Sequence, residues 1–439
     1  VADGKLSIDE LRDLIDRHRN EPEERLRAAW DFSVDMAGIA AKDRSGNFMD
    51  GEIINLPARA VTGYRWDGST LDWRLKPEQY SAIHFHDDDI ADCGWLTDFV
   101  LKIPQDLPSG IYAAHLICDE FEDFVPFFVR PAADGQRNRI AFVASTATYL
   151  AYANSHVKLD TVGAELMYES AMQVTALDHL LQERRELGYS TYDTHGDYSG
   201  VIYSSPLRPL LNMRPGPYTF NFLSDTHITA WLEHAGFDYD VITDHDIHDQ
   251  GADLLKFYDV VITATHPEYF STEMWDAFDA YQQNGGRHMY LGGNGFYWRI
   301  AFHPDYGGAI EVRKDQTGVR SWEGEPGEGN LSLTGEPSGL WRSAGRAPQR
   351  LVGVGFCATK FDKSTYYSRA ADSFCSEVAF VFDGVGRDER IGDFGTRGGG
   401  AAGQEIDRFD SDLGSPLGTL ILATSINVGI GGVLTVEEF

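Results

Sequence analysis

The chain has 439 residues, 42% hydrophobic and 24% charged, with nine tryptophans, which allows a sizeable buried core and excludes an intrinsically disordered chain. Its formal net charge of −31 argues against nucleic acid or an anionic membrane as the partner. No apolar run approaches a membrane span, no signal peptide opens the sequence, and Cys93, Cys118, Cys357 and Cys375 lack metal-type spacing, so a cytoplasmic protein of about two or three domains is expected.

In chain order, Ser7-x-x-Glu10 is a capping box, and Leu11, Leu14 and Ile15 follow it at helical spacing, which predicts an amphipathic N-terminal helix. From Trp30 to about Arg130 the texture changes. Short apolar runs such as GEIINLP, YSAIHFHDDD, DFVLKIP, GIYAAHLICD and FVPFFVRP alternate with Gly, Pro, Asn and Asp turns. That spacing reads as an antiparallel β-sandwich, so residues 1–130 are taken as an all-β region carrying the N-terminal helix. Strand alternation places His84 and His86 on one face beside Asp87, as a metal pair requires. The other reading of that stretch is a polar strand end capped by acidic turn residues.

After a polar linker, Arg139 opens an apolar strand that runs into the segment AYAN around Tyr152. A helix with Met167, Ala171, Val174, Leu177 and Leu181 on one face is expected next, then a polar loop, STYDTHGD, around Tyr192. A further helix from about Asp225 should bury Ile228, Trp231, Leu232 and Ala235. Tyr239 to Thr243 is a strand leading to the polar stretch Asp244–His248. Asp259 to Thr265 is another, followed by His266-Pro267-Glu268-Tyr269. Ser271 is the N-cap of a helix bearing Met274, Phe278 and Tyr281 and stopped by Gly285-Gly286. His288 to Leu291 is the next strand, ending in Gly292-Gly293-Asn294-Gly295. Strand and helix alternating with short links predict a doubly wound parallel sheet over 139–439. Functional groups of such sheets gather beyond the strand C-termini, where His266, Glu268 and Asn294 stand. Further on, Ile310–Lys314 and Glu377–Phe382 read as strands, residues 323–350 as a surface excursion, and GGGAAGQEIDR as a glycine-rich turn that is not a phosphate loop.

The turn after the strand at 288 holds no Ser or Cys, which excludes a nucleophile elbow there; Asn294 remains as a donor to an oxyanion. The His, Glu, Asp and Tyr residues at the strand ends suit hydrolysis by a metal that activates water. A hard trivalent cation can displace phenol protons, and two phenolates with one carboxylate would balance Fe³⁺. The residues alone do not select which of twenty tyrosines are involved.

Several long segments in one order carry a resemblance: GEIINLPARAVTG, AIHFHDDD, SGIYAAHL, YLAYAN, STYDTH, HPEYF, GGRHMYLGGNGFYWR, GLWR and GGAAGQEIDR. From about Trp30 to Ser425 the chain resembles the large (β) subunit family of N,N-dimethylformamidase. The resemblance implies an amidotransferase-like (flavodoxin-like) doubly wound sheet preceded by the tail of a laminin-G-like sandwich. It implies a mononuclear Fe³⁺ held by Tyr152, Tyr192 and Glu268, with His266, Asn294, Glu405 and Lys314 as catalytic groups around it. It also implies a small N-substituted formamide as substrate and a separate small subunit, assembled as (αβ)₂ or higher. Tyr198 stands where the family has glycine, and the α/β region is expected to be truncated at its C-terminus. A non-catalytic carbohydrate-binding or interaction protein on the same scaffold is the alternative, and the iron content of pure protein separates the two.

Overall fold

Arg139 is followed by an unbroken apolar run, IAFVA, and this run is strand β1 (Ile140–Ala144) of the computed structural model. The structure describes residues 7–10, 13, 26–132, 135–156, 174–215, 221–314, 322–395, 398–425 and 435–436. These fall into two units. The first gathers Val1–Asp98, Arg184–Leu210 and Ile300–Gly339, and the second Phe99–Glu183, Leu211–Arg299 and Leu340–Phe439. The units are therefore interleaved along the chain, not the consecutive segments 1–130 and 139–439 that the change of texture suggested.

In the second unit, β1 is joined by β2 (Asp240–Thr243), β3 (Val260–Thr263) and β4 (Arg287–Tyr290) in one sheet, ordered β2-β1-β3-β4 with every pair parallel. The order reverses between β1 and β3. Ala141 and Phe142 are both fully buried, so β1 is covered on both faces, which is why it reads as a continuous apolar run instead of an alternating one. One face packs Phe142, Ala144, Val241 and Ile262 against Tyr149, Phe222, Ile228 and Leu232. Each large apolar side chain buried this way contributes about 1.5–3 kcal/mol.

The helices that link the strands differ in detail from their sequence patterns. Helix α1 (Thr146–Ala151) follows β1 directly. Helix α2 (Phe222–His234) buries Phe222, Asp225, Ile228, Thr229 and Leu232, whereas Trp231 and Ala235 are exposed. The inward face is thus rotated from the expected one, because it follows a helix that begins at Phe222 and includes the buried Asp225. The polar stretch after β2 is helix α3 (Asp244–Gln250), started by a capping box between Thr243 and Asp246. Helix α4 (Thr272–Gln283) forms where its pattern put it, with Ser271 accepting from the Met274 amide and Met274, Phe278 and Tyr281 buried.

Of the helix expected before 183, Ala176–Glu183 is seen, and Met167 and Ala171 lie outside the described residues. The capping box at the N-terminus is present, with the Glu10 amide donating to Ser7 Oγ at 3.2 Å; Leu11, Leu14 and Ile15 lie outside the described residues.

The strands expected in the first 130 residues pair two by two: Ala40–Ala41 with Gly51–Glu52, Ala58–Val61 with Ala82–His84, and Gly110–Cys118 with Phe121–Val129. DFVLKIP forms no strand. The long hairpin at 110–129 belongs to the second unit, where Ile111 and Phe128 pack on the core. Segment 377–382 holds a 3₁₀ turn at Ala379–Phe382 instead of a strand. Residues 323–350 are not a surface excursion throughout: Leu331 and Trp341 are fully buried, their apolar bulk outweighing the Gly, Pro and Glu around them. The glycine-rich stretch after 398 leads into β6 (Ala402–Arg408), antiparallel to β5 (Gly355–Thr365). Among the described residues no helix is long and apolar enough to cross a membrane.

Candidate active site

Three neighbouring strands of the parallel sheet end at one place in the second unit. β1 leads through α1 to Tyr152, the residue that closes that helix. The Asn212 side chain donates to the Tyr152 carbonyl at 2.7 Å, and fully buried Asn154 accepts from the Leu211 amide at 2.9 Å. The AYAN segment is thereby pinned to the chain at 211–212. β3 leads to His266-Pro267-Glu268. The Glu268 amide donates to Thr148 Oγ1 at 3.1 Å, and its carbonyl accepts from Trp298 at 2.9 Å. β4 leads to the turn Gly292–Phe296, where Asn294 has φ +52° and Phe296 φ +54°. A Cβ on Gly295 would stand 2.4 Å from the Tyr290 ring, so only glycine fits there.

The side chains converge. Tyr152 O–H donates to Glu268 Oε2 at 2.8 Å. His266 Nε2 lies 3.1 Å from the same oxygen, and His266 Nδ1 lies 3.2 Å from Glu405 Oε2 and 3.0 Å from the Gly293 carbonyl. Asn294 Nδ2 donates to Glu405 Oε1 at 3.1 Å and faces Glu268 Oε1 at 3.4 Å. His266, Glu268 and Glu405 each offer a ligand atom within 4.8 Å of the other two. Asn294 is 3% exposed, and its Oδ1 meets no hydrogen-bond partner among the described residues, so a polar acceptor is aimed at buried space.

The electrostatics follow from crowding acids away from water. Burial alone would lower the His266 pKa, but the Glu405 and Glu268 carboxylates outweigh it and push it up to about 10. Burial raises Glu405, assisted by the nearby Glu268 charge. Burial also lifts Asp407 to about 6. The two carboxylates thus favour the protonated form of His266. The cluster carries more acid than one imidazolium balances, a donor set suited to a proton store or to a hard cation. Phenol and carboxylate oxygens fit a hard cation, and the orphaned Asn294 oxygen fits a bound polar group.

The remaining expected residues, Tyr192 and Lys314, belong to the first unit. There Lys314 is fully buried, with its ammonium 2.9 Å from the centre of the Tyr192 ring. Tyr198 has φ +71° and an exposed side chain, a backbone state that favours glycine. His84 and His86 do come together, but with Asp197; Asp87 is exposed on the surface.

Two supports in the second unit were not among the residues expected from the sequence. Asp407 accepts from the Asn294 amide at 2.8 Å and from the Tyr290 hydroxyl at 2.9 Å. Asp225 accepts from the Thr265 amide at 2.8 Å and from the Tyr149 hydroxyl at 2.5 Å, steadying the residue before His266. Glu405 and Asp407 are two apart on β6 and so share a face, a signal available in EIDR. Asp225 offered no such signal, since an acid early in a helix ordinarily complements the helix dipole.

A family model described as N,N-dimethylformamidase beta subunit-like, C-terminal, matches residues 58–435. The N,N-dimethylformamidase beta subunit of Paracoccus aminophilus is 41% identical over 433 residues, covering 96% of this chain and 56% of that protein. The one from Alcaligenes sp is 41% identical over 411 residues, covering 91% and 54%. The chain thus spans about half the length of the curated relatives it matches. With the family model matching from residue 58 to 435, the chain belongs to the N,N-dimethylformamidase beta subunit-like family.

Proposed function

We propose that this chain forms the catalytic part of an iron-dependent amidohydrolase that cleaves a small N-substituted formamide, N,N-dimethylformamide to dimethylamine and formate. The observation that carries the reading is the meeting of Tyr152, His266 and Glu268 in one buried cluster, in a chain of this family. The sheet order and the two covered faces of β1 support an amidotransferase-like, doubly wound fold for the second unit. Tyr152, Tyr192 and Glu268 are assigned as metal ligands on the sequence resemblance, and the contact of the Tyr152 hydroxyl with Glu268 supports two of the three.

When bound, trivalent iron would supply Lewis acidity toward an amide carbonyl and toward water. The protein groups do the rest. Asn294 Nδ2 donates to the oxyanion that develops on the carbonyl. His266, held protonated by its two carboxylates, delivers a proton to the departing amine nitrogen as the C–N bond breaks. Glu405, whose proton affinity burial raises, takes up the proton that the attacking water loses and returns it through His266. Lys314 is assigned to the site on the resemblance alone. The relatives are named beta subunits, and we propose that this chain likewise works with a separate smaller subunit, in pairs or higher multiples.

The test measures formate release and bound iron in the assembled protein. Tyr152→Phe, Tyr192→Phe and Glu268→Gln are each expected to lose iron and at least about 10²-fold in turnover, within the range for removing a key electrostatic group. Unchanged iron content and turnover in the Tyr152→Phe/Glu268→Gln double variant would refute the assignment.

A further inference from the structure

We infer that His84, His86 and Asp197 form a second metal site, in the first unit, for a divalent first-row transition cation such as Zn²⁺. The inference is independent of the amidohydrolase reading. His84 Nε2 lies 2.8 Å and His86 Nε2 3.7 Å from Asp197 Oδ2, and the three ligand atoms are within 4.8 Å of one another. A tetrahedral ion about 2.0–2.2 Å from each ligand needs them about 3.4 Å apart, between the two distances seen.

Two of the three ligands, His86 and Asp197, are held by neighbouring groups. Asp89 takes His86 Nδ1 at 3.1 Å and the His86 amide at 2.8 Å, so Nε2 is the nitrogen on the Asp197 side. There it lies 2.8 Å from Ser199 Oγ and 3.7 Å from Asp197 Oδ2, and an entering ion would replace the serine contact. The Asp89–His86 pair is the carboxylate–histidine arrangement by which proteins fix the tautomer of a metal-binding imidazole. The His195 ring lies flat on His86, centroids 3.6 Å apart and planes 1° from parallel, and is itself held by Asp88 at 2.5 Å. A ring stacked in parallel cannot share an in-plane ion with His86, so His195 positions its neighbour instead of ligating. Ser199 donates its amide and hydroxyl to Asp197 Oδ1 at 3.0 and 2.6 Å, leaving Oδ2 to face both imidazoles. His86 is buried, while the His84 and Asp197 side chains are 43% and 46% exposed, so an ion has a route in and a water can complete its shell.

The donor set chooses the cation. Two imidazoles and one carboxylate suit Zn²⁺, Co²⁺ or Fe²⁺, whereas Ca²⁺ and Mg²⁺ prefer oxygen donors throughout. A network of His–Asp hydrogen bonds with no affinity for metal is the competing account, and the two differ in stoichiometry. The full chain is dialysed against micromolar Zn²⁺ and its retained zinc counted, with His84→Gln, Asp197→Asn and, as a neighbouring control, Phe85→Ala. His84 and Asp197 are half exposed, so both variants should fold, as circular dichroism would verify. The expected result is one fewer zinc per chain in each of the two ligand variants, at least about 100-fold weaker binding at that site, and no change in Phe85→Ala. Co²⁺ should give a visible d–d band that the same two substitutions remove. Equal zinc in the wild type and both ligand variants, or no zinc retained by the wild type, overturns the proposal.

Discussion

Asn294 and Tyr149 show how differently two polar residues near the cluster should behave. Asn294 donates toward both glutamates from a strained turn, and in the proposed reaction it faces the developing oxyanion. Asn294→Ala is expected to lower kcat by about 10²- to 10³-fold with little change in KM, because the bond is made mainly in the transition state. Steady-state formate release checks this, and a change confined to KM would contradict it. Tyr149 stands three residues before Tyr152, yet its hydroxyl donates to buried Asp225. Tyr149→Phe should therefore keep the proposed iron but cost about 1–3 kcal/mol of stability, the range for leaving a buried acceptor without its partner. Denaturant melts together with iron content decide it; lost iron at unchanged stability would place Tyr149 in the metal shell instead.

The elements around the site depend on a few local contacts. Ser271 begins α4 by accepting from Met274 and also meets His248 Nδ1 at 2.8 Å. Ser271→Ala should cost about 1–2 kcal/mol, visible as a lower urea midpoint at unchanged slope. His288 lies on β4, its ring packed on Phe278 and Phe296 and bonded to Thr263 Oγ1 at 3.0 Å. Burial pushes its pKa down to about 3. The folded state thus resists a proton that the unfolded chain accepts near pH 6.5. This contribution to stability is complete above pH 6.5 and is lost as pH falls toward 3, at up to about 1.4 kcal/mol per pH unit. His288→Gln should flatten the fall in urea-unfolding free energy between pH 7 and 5 relative to the wild type. Parallel curves for the two proteins would show that His288 does not titrate on unfolding.

Taken as a whole, the molecule carries a formal charge of −31, a strong field for any partner. If the proposed small subunit is less acidic, its association should be steered by that field, so the on-rate should fall with added salt while the off-rate changes little. Stopped-flow mixing of the two subunits at several ionic strengths measures this. Light scattering that finds a fully active monomer without any partner would remove the subunit proposal.

What the sequence determined by itself was the set of local patterns. The unbroken apolar runs of β1 and β3, the Ser271 cap and the Gly292–Gly295 turn follow from burial on both faces, a side-chain acceptor and a crowded backbone, each expressed within a few residues. The shared place of His266, Glu268 and Asn294 was legible because parallel neighbouring strands bring their C-terminal loops together. Only the tertiary structure brought in Asp225 and Asp197 and showed that Asp407 holds Asn294, since each acts across a long stretch of chain on a residue that no sequence period links to it. The same limit explains the interleaved units. Which segment folds with which is decided by the surfaces they bury against each other, and stretches as far apart as 1–98 and 300–339 leave no mark of that in their own composition.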